Sequence, residues 1–249
     1  MLCKTNEFDD FGACAYALLY RRGIVLLLKG LSAGAIALIG LGLILAWLDM
    51  SGFSNYDTEF LGAKALQALN GAEPRYRAIV SIFPPLMVYS TLIVGSAITL
   101  QALLGAIAVG LIVWQMGNIA VPAIWRSVWT VLIVLNPAFS LMLLRSPVWV
   151  AVTIFLMLLM AVLWMLAKGQ EIPSLPTTLL LVLLGLGLAP LMLLRYEAWL
   201  ILPAVALIVL LLFPTEAWDF KVTAILVTLF MSLVLIATWL YMNWIDRKS

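Results

Sequence analysis

The sequence predicts an all-α polytopic membrane protein of about seven transmembrane helices, with amphipathic surface helices in the first external loop. Three observations carry that prediction. The 249 residues are 65% hydrophobic and 10% charged, where a soluble domain carries about 25% charged residues. Apolar runs recur from residue 30 to the end, and several match the roughly 20 helical residues that cross about 30 Å of hydrocarbon. These runs are far longer than barrel strands, and a helix satisfies its own backbone hydrogen bonds in lipid.

Residues 1–30 read as a cytosolic N-terminal tail. Lys4, Glu7, Asp9, Asp10, Arg21 and Arg22 mix both charge signs, unlike the short basic leader of a signal peptide. Cys3 and Cys14 both lie in this tail and would be free thiols in a reducing compartment. Residues 31–249 then form a single transmembrane domain in the plasma (inner) membrane. The first span is near Leu31–Leu48, with Lys29 snorkelling at its cytosolic end. Arg21, Arg22 and Lys29 set the N-terminus inside by the positive-inside rule. The stretch 49–98 is then the first external loop with its juxtamembrane helices.

Within that loop, Ser54–Asn70 reads as a helix. Ser54 with Asp57 three residues on resembles a capping box, and Gly71 after Asn70 is a stop signal. At 100° per residue, Leu61, Gly62, Ala65, Leu66 and Leu69 share one broad arc, with Asp57, Lys64 and Gln67 on the other. Such a helix lies at the membrane surface. The run Phe83–Met116 divides at Gly95-Ser96, into a short embedded or surface helix followed by one crossing at about Thr99–Met116. A two-crossing alternative would invert the sidedness of everything after it, and lysine and arginine counts do not separate the two. Later spans are predicted at Val121–Leu144, Val148–Ala167, Leu175–Leu194, Ala198–Phe213 and Val222–Ile245. Trp114, Trp149, Trp199, Trp218 and Trp244 fall near span ends, as interface anchors do.

Some chemistries are disfavoured. A net charge of +2 does not suggest nucleic acid, and there is no histidine, the commonest general base and metal ligand. Glu59 lies about 160° around the helix from Asp57, so the pair does not form a metal-binding Asp-x-Glu. No essential metal and no cofactor are expected.

One pattern runs through the charged loop and beyond. Tyr56-Asp57 precedes the short helix Ala63–Leu69, then Asn70-Gly71, Arg75-Tyr76 and Phe83-Pro84-Pro85-Leu86. Asn136-Pro137 is followed by the polar break Arg145-Ser146. A glycine-rich run, Gly185–Leu194, ends in Arg195, with Leu202-Pro203 after it. This arrangement resembles the glycosyltransferase-C superfamily, nearest its polyprenyl-phosphate-mannose-dependent mannosyltransferase branch. The resemblance covers nearly the whole chain through loose motifs. It implies a seven-span membrane module and a catalytic aspartate in the first external loop, which falls on Asp57. It also implies a polyprenyl-phosphate sugar as donor substrate and membrane lipid as a partner. Many relatives carry a second acid or a Gly-Gln motif in the next external loop, where this chain has Arg145-Ser146-Pro147.

Sugar transfer from a lipid phosphate needs a base for the acceptor proton, cations for the departing phosphate and a groove for the prenyl chain. Asp57 is the candidate base, with a first-turn acid on the helix dipole as the plainer role. Arg195 is the candidate phosphate clamp, since a guanidinium fork matches phosphate oxygens. Its plainer role is an interfacial anchor paired with Glu197. Arg145, Arg75 and Arg77 are further candidates for phosphate or headgroup contact. Tyr56 could stack on a sugar ring or serve as an interface aromatic. The expectation is a hexosyltransferase, mannose being the favoured sugar. The alternative is a catalytically degenerate lipid-binding or assembly subunit.

Overall fold

The computed structural model describes residues 8–53, 55–70, 85–119, 121–169, 176–195, 200–213 and 216–246. Among the described residues, every extended regular element is an α-helix. Helix α1 (Phe8–Met50) runs 43 residues without a proline to interrupt it, so much of the predicted tail is helical. Its apolar part, Gly23–Met50, is long enough to cross a membrane. The chain then turns at Gly52, whose φ of 77° is the left-handed backbone that a Cβ would penalise.

Helix α2 (Tyr56–Asn70) begins on an asparagine cap. The Asn55 side-chain oxygen accepts from the Asp57 N–H at 3.2 Å, and its carbonyl accepts from the Glu59 N–H at 2.9 Å. The cap expected at Ser54, which lies outside the described residues, is thus supplied one position later. Helix α3 (Pro85–Val94) is 10 residues long and ends at Gly95, φ 81°. Ser96 then caps the 22-residue helix α4 (Ala97–Asn118), accepting from the Thr99 N–H at 3.4 Å. The apolar run therefore contains one short helix and one crossing-length helix, divided at the predicted Gly95-Ser96.

The span expected over Val121–Leu144 is a bent pair. Helices α5 (Ala123–Val134) and α6 (Pro137–Arg145) meet at 51°. Pro137 cannot donate a backbone hydrogen bond, and Asn136 instead restarts the helix, accepting from the Ala138 N–H at 2.9 Å. After a one-residue corner at Ser146 come α7 (Pro147–Gly169), α8 (Thr177–Leu194), α9 (Ile201–Leu212) and α10 (Trp218–Asp246). Among the described residues, five helices are long and apolar enough to cross a membrane, or six if the bent pair counts as one span. The 12 residues of α9 reach about 18 Å, well short of about 30 Å of hydrocarbon.

Side-chain contacts orient the helices. Leu26 meets Gly117, Gly30 meets Gly110 and Gly34 meets Ala106, so α1 and α4 run antiparallel. Gln101 bonds to Leu143 and Gln115 to Met157, so α4 and α7 run parallel. Leu159 meets Gly187, and Trp149 meets Arg195, so α7 and α8 are antiparallel. The C-terminus of α1, the N-termini of α4 and α7, and the C-terminus of α8 consequently share one end of the bundle. Helix α10 packs along the far side of α8. Leu184, Leu188, Leu191 and Leu194 of α8 are fully buried. Leu27, Leu31, Ile36 and Leu43 of α1 are exposed, the outward apolar face that a lipid environment accepts.

Candidate functional site

The shared end of the bundle is organised by the first two turns of α2. Asp57, Leu61, Ala65 and Ala68 recur at helical spacing along one stripe, and the last three are buried. This corrects the predicted arc. Leu66 and Leu69 are exposed, while Asp57 is half-buried and turned toward the bundle. Leu61, wholly buried, packs into the core cluster that contains Met87, Val88, Leu100 and Val148. That anchoring draws the helix N-terminus against α4 and the α6–α7 corner.

Four hydrogen bonds brace it there. The Ser146 hydroxyl donates to a carboxylate oxygen of Asp57. The Thr58 hydroxyl donates to the Gln101 side-chain oxygen at 2.9 Å, and the Gln101 amide donates to the Leu143 carbonyl at 2.9 Å. The Asn55 amide donates to the Leu144 carbonyl at 3.3 Å. Gln101 is 1% exposed, where an unpaired amide would be costly. Its two bonds join α2, α4 and the last turn of α6. These side chains hold Asp57 against the α6–α7 corner.

Arg195 caps α8 at the same end, half-buried. Its guanidinium lies 4.5 Å from the ring centre of Trp149, which is on the first turn of α7, three residues past Ser146. Cation–π stacking of this kind fixes the guanidinium plane. Thus Asp57 and Arg195 lie at one end of the bundle, linked through the Ser146–Trp149 turn. Arg145 ends α6 next to Ser146 and is exposed.

The other predicted residues are distributed differently. Tyr56 is 73% exposed and stacks on Phe60 at 6.1 Å. Arg75, Arg77 and Glu197 lie outside the described residues. Arg126 is at the opposite end, donating to the Gly117 carbonyl at 3.0 Å, a favourable place for a cation at the C-terminus of α4. Among the described residues, no three His, Cys, Asp or Glu side chains come together.

Sequence reasoning missed Asn55, Thr58, Gln101 and Ser146. Gln101 had a readable signal, since it is an amide inside the apolar run Ala97–Trp114, and intramembrane polar groups mark functional or structural junctions. Ser146 had none, because only tertiary contact separates it from any other loop serine.

A cleft lies beside this constellation, between the end of α1, one side of α2, α3 and the N-terminus of α4. Its volume is about 350 Å³. Asn55, Thr58 and Gln101 border it, whereas Asp57 lies next to it and not in its wall. The chain matches no family model, no curated protein and no solved structure.

Proposed function

We propose that the protein is a membrane glycosyltransferase of the inverting kind. It moves a hexose, with mannose favoured, from a polyprenyl-phosphate sugar to a hydroxyl acceptor at the outer face. The observation that supports this best is the meeting of Asp57, Ser146 and Trp149-stacked Arg195 at one bundle end. The positive charges before the first span orient that end outward. In this reading the seven-span count requires α9 to cross with flanking residues, and the bent α5–α6 pair to serve as one span.

The reaction is a single displacement. The acceptor oxygen forms a bond to the anomeric carbon while the bond from that carbon to the phosphate oxygen breaks. Asp57 takes the acceptor proton. The polyprenyl phosphate leaves with the electron pair, and its charge is met by Arg195 and Arg145. Ser146 keeps the Asp57 carboxylate oriented. The test is transfer of a labelled hexose from a polyprenyl-phosphate donor in proteoliposomes. Asp57→Asn should lower the rate about 10²–10⁴-fold, the usual worth of a general base. Full activity in that variant would remove Asp57 from the chemistry.

A second reading is a lipid-binding or assembly subunit that has lost catalysis. It is favoured by one observation: the group facing Asp57 is the Ser146 hydroxyl and not a second acid. Turnover of a polyprenyl-phosphate sugar by the purified protein excludes it.

A further inference from the structure

The bent pair α5–α6 exposes a polar break where hydrocarbon would lie. Arg126 of α5 bonds to Gly117 in the last turn of α4, and Leu143 of α6 bonds to Gln101 near the start of α4. The pair therefore runs alongside α4 from one end of the bundle to the other. Asn136 falls between those levels, about 15 Å from the first and about 10 Å from the second at 1.5 Å per helical residue. With the pair crossing as one span, the break between α5 and α6 sits near the middle of about 30 Å of hydrocarbon.

The break is not closed by its own helices. The Asn136 N–H leaves its helical partner, the Leu132 carbonyl, for that of Ile133 at 3.3 Å. Pro137 has no N–H to offer. Among the described residues no donor reaches the Leu132 carbonyl. The Asn136 side-chain oxygen accepts from the Ala138 N–H at 2.9 Å, while its NH2 meets no acceptor among the described residues. Leu135 is 70% exposed, and Asn136, Pro137 and Ala138 are exposed with it. No residue of α5 is buried, and the cleft beside α2 does not reach the break. A regular apolar helix such as α1 can face lipid, because its backbone bonds are internal. Irregular backbone with an open amide and an open carbonyl is tolerated at this depth only against protein or a water-filled cavity.

Two properties identify the protein that covers it. The unused donor and the unused acceptor belong to the same break, so the surface is self-complementary. The Asn136 NH2 of one copy matches the Leu132 carbonyl of another, and the reverse, as in any isologous contact. Two copies inserted in the same direction are also related by an axis along the membrane normal, which sets break against break at equal depth. An unrelated helix would have to supply both groups at that depth. Trp125, Val128, Leu132 and Leu135 lead to the break at alternating spacings of three and four, and all are exposed. That spacing suits helices that pack at a small crossing angle in a membrane, and Ala138 leaves room for close approach.

We propose that the exposed α5–α6 face is the interface of a homodimer, closed by reciprocal hydrogen bonds from Asn136 to the Leu132 carbonyl across a two-fold axis. This interface depends on the bent pair crossing as one span and not on the transferase chemistry.

The test uses the full chain with Cys3→Ser and Cys14→Ser, reconstituted in phosphatidylcholine vesicles. Leu135→Cys should form a disulfide-linked dimer on oxidation with copper phenanthroline. Ile36→Cys, midway along the first span and 73% exposed, should not. Single-molecule photobleaching of the chain labelled at its C-terminus should show pairs. Asn136→Ser keeps a capping oxygen for α6 and loses the NH2, so it should raise the dimer dissociation constant about tenfold, the worth of two interhelical hydrogen bonds. Should that variant fail to fold, the crosslink, made with Asn136 in place, still decides. Equal crosslinking at positions 36 and 135 would mark random collision and overturn the proposal. Single-step bleaching without a crosslink overturns it too, as does a dimer indifferent to Asn136→Ser. A chain that is single when purified but crosslinks from position 135 to a different protein in native membranes assigns the face to another membrane helix and removes the second copy.

Discussion

Ser146 is a small residue with a large expected effect. Its hydroxyl is the group that meets the Asp57 carboxylate, and a hydrogen bond to a charged group contributes about 1.5–3 kcal/mol. Ser146→Ala should therefore lower stability by about 1.5–3 kcal/mol and, on the proposed transferase reading, slow turnover per folded molecule about tenfold to a hundredfold, as read by donor turnover beside a melting curve. Gln101 should act through the fold alone. Gln101→Leu keeps the volume but leaves the Thr58 hydroxyl and the Leu143 carbonyl without their partner, each loss costing about 1–3 kcal/mol. Melting in detergent should drop clearly, and activity should fall with the folded fraction. Asp57 itself was readable in sequence as an acid just past the first anchor. Its inward direction was not, because the predicted arc was drawn toward Leu66 and Leu69 and left out Ala68. Ala65 and Ala68 are buried while Leu66 and Leu69 are exposed, since close approach to α3 and α4 favours small side chains.

At the scale of elements, two helix crossings depend on glycine for space. A Cβ on Gly185 would collide with the Thr228 backbone carbonyl of α10, which cannot move as a side-chain tip does. A Cβ on Gly110 would come within 2.9 Å of the Gly30 carbonyl of α1. Small residues of this kind let membrane helices approach backbone to backbone. Gly185→Ala should thus destabilise by about 1–3 kcal/mol, the usual cost of overpacking, and lower the melting temperature without altering donor affinity. Helix α2 depends on a side chain instead. Leu61→Ala should cost about 2–5 kcal/mol and loosen α2 from the corner. Faster hydrogen exchange over 56–70 would report it. The helix was legible from its polar spacing and stop signal, with boundaries close to those found. The cap was misplaced by one residue because Ser54 and Asn55 are both good N-caps, and only the backbone turn decides between them.

For the whole molecule, the antiparallel and parallel pairings place positions 57, 145 and 195 at one end and the Gly117–Arg126 contact at the other. Single cysteines at 57, 145 and 195, with Cys3 and Cys14 replaced by serine, should all react with an impermeant thiol reagent from the same side of sealed vesicles. A cysteine at 118 should react only after permeabilisation. Labelling of 57 and 195 from opposite sides would dismantle the proposed site. Composition and run length by themselves determined that the chain is helical and apolar enough for several membrane crossings, because hydrocarbon thickness sets the length of any helix that spans it. They also located the division at Gly95-Ser96, where glycine and a capping serine break the helix locally. Only the tertiary structure decided that Asp57 faces Ser146, that Gln101 joins three helices and that Arg195 rests on Trp149. Those contacts link residues 42 to 89 positions apart in the first two cases, and an apolar helix of this kind can turn any face to a neighbour until packing selects one.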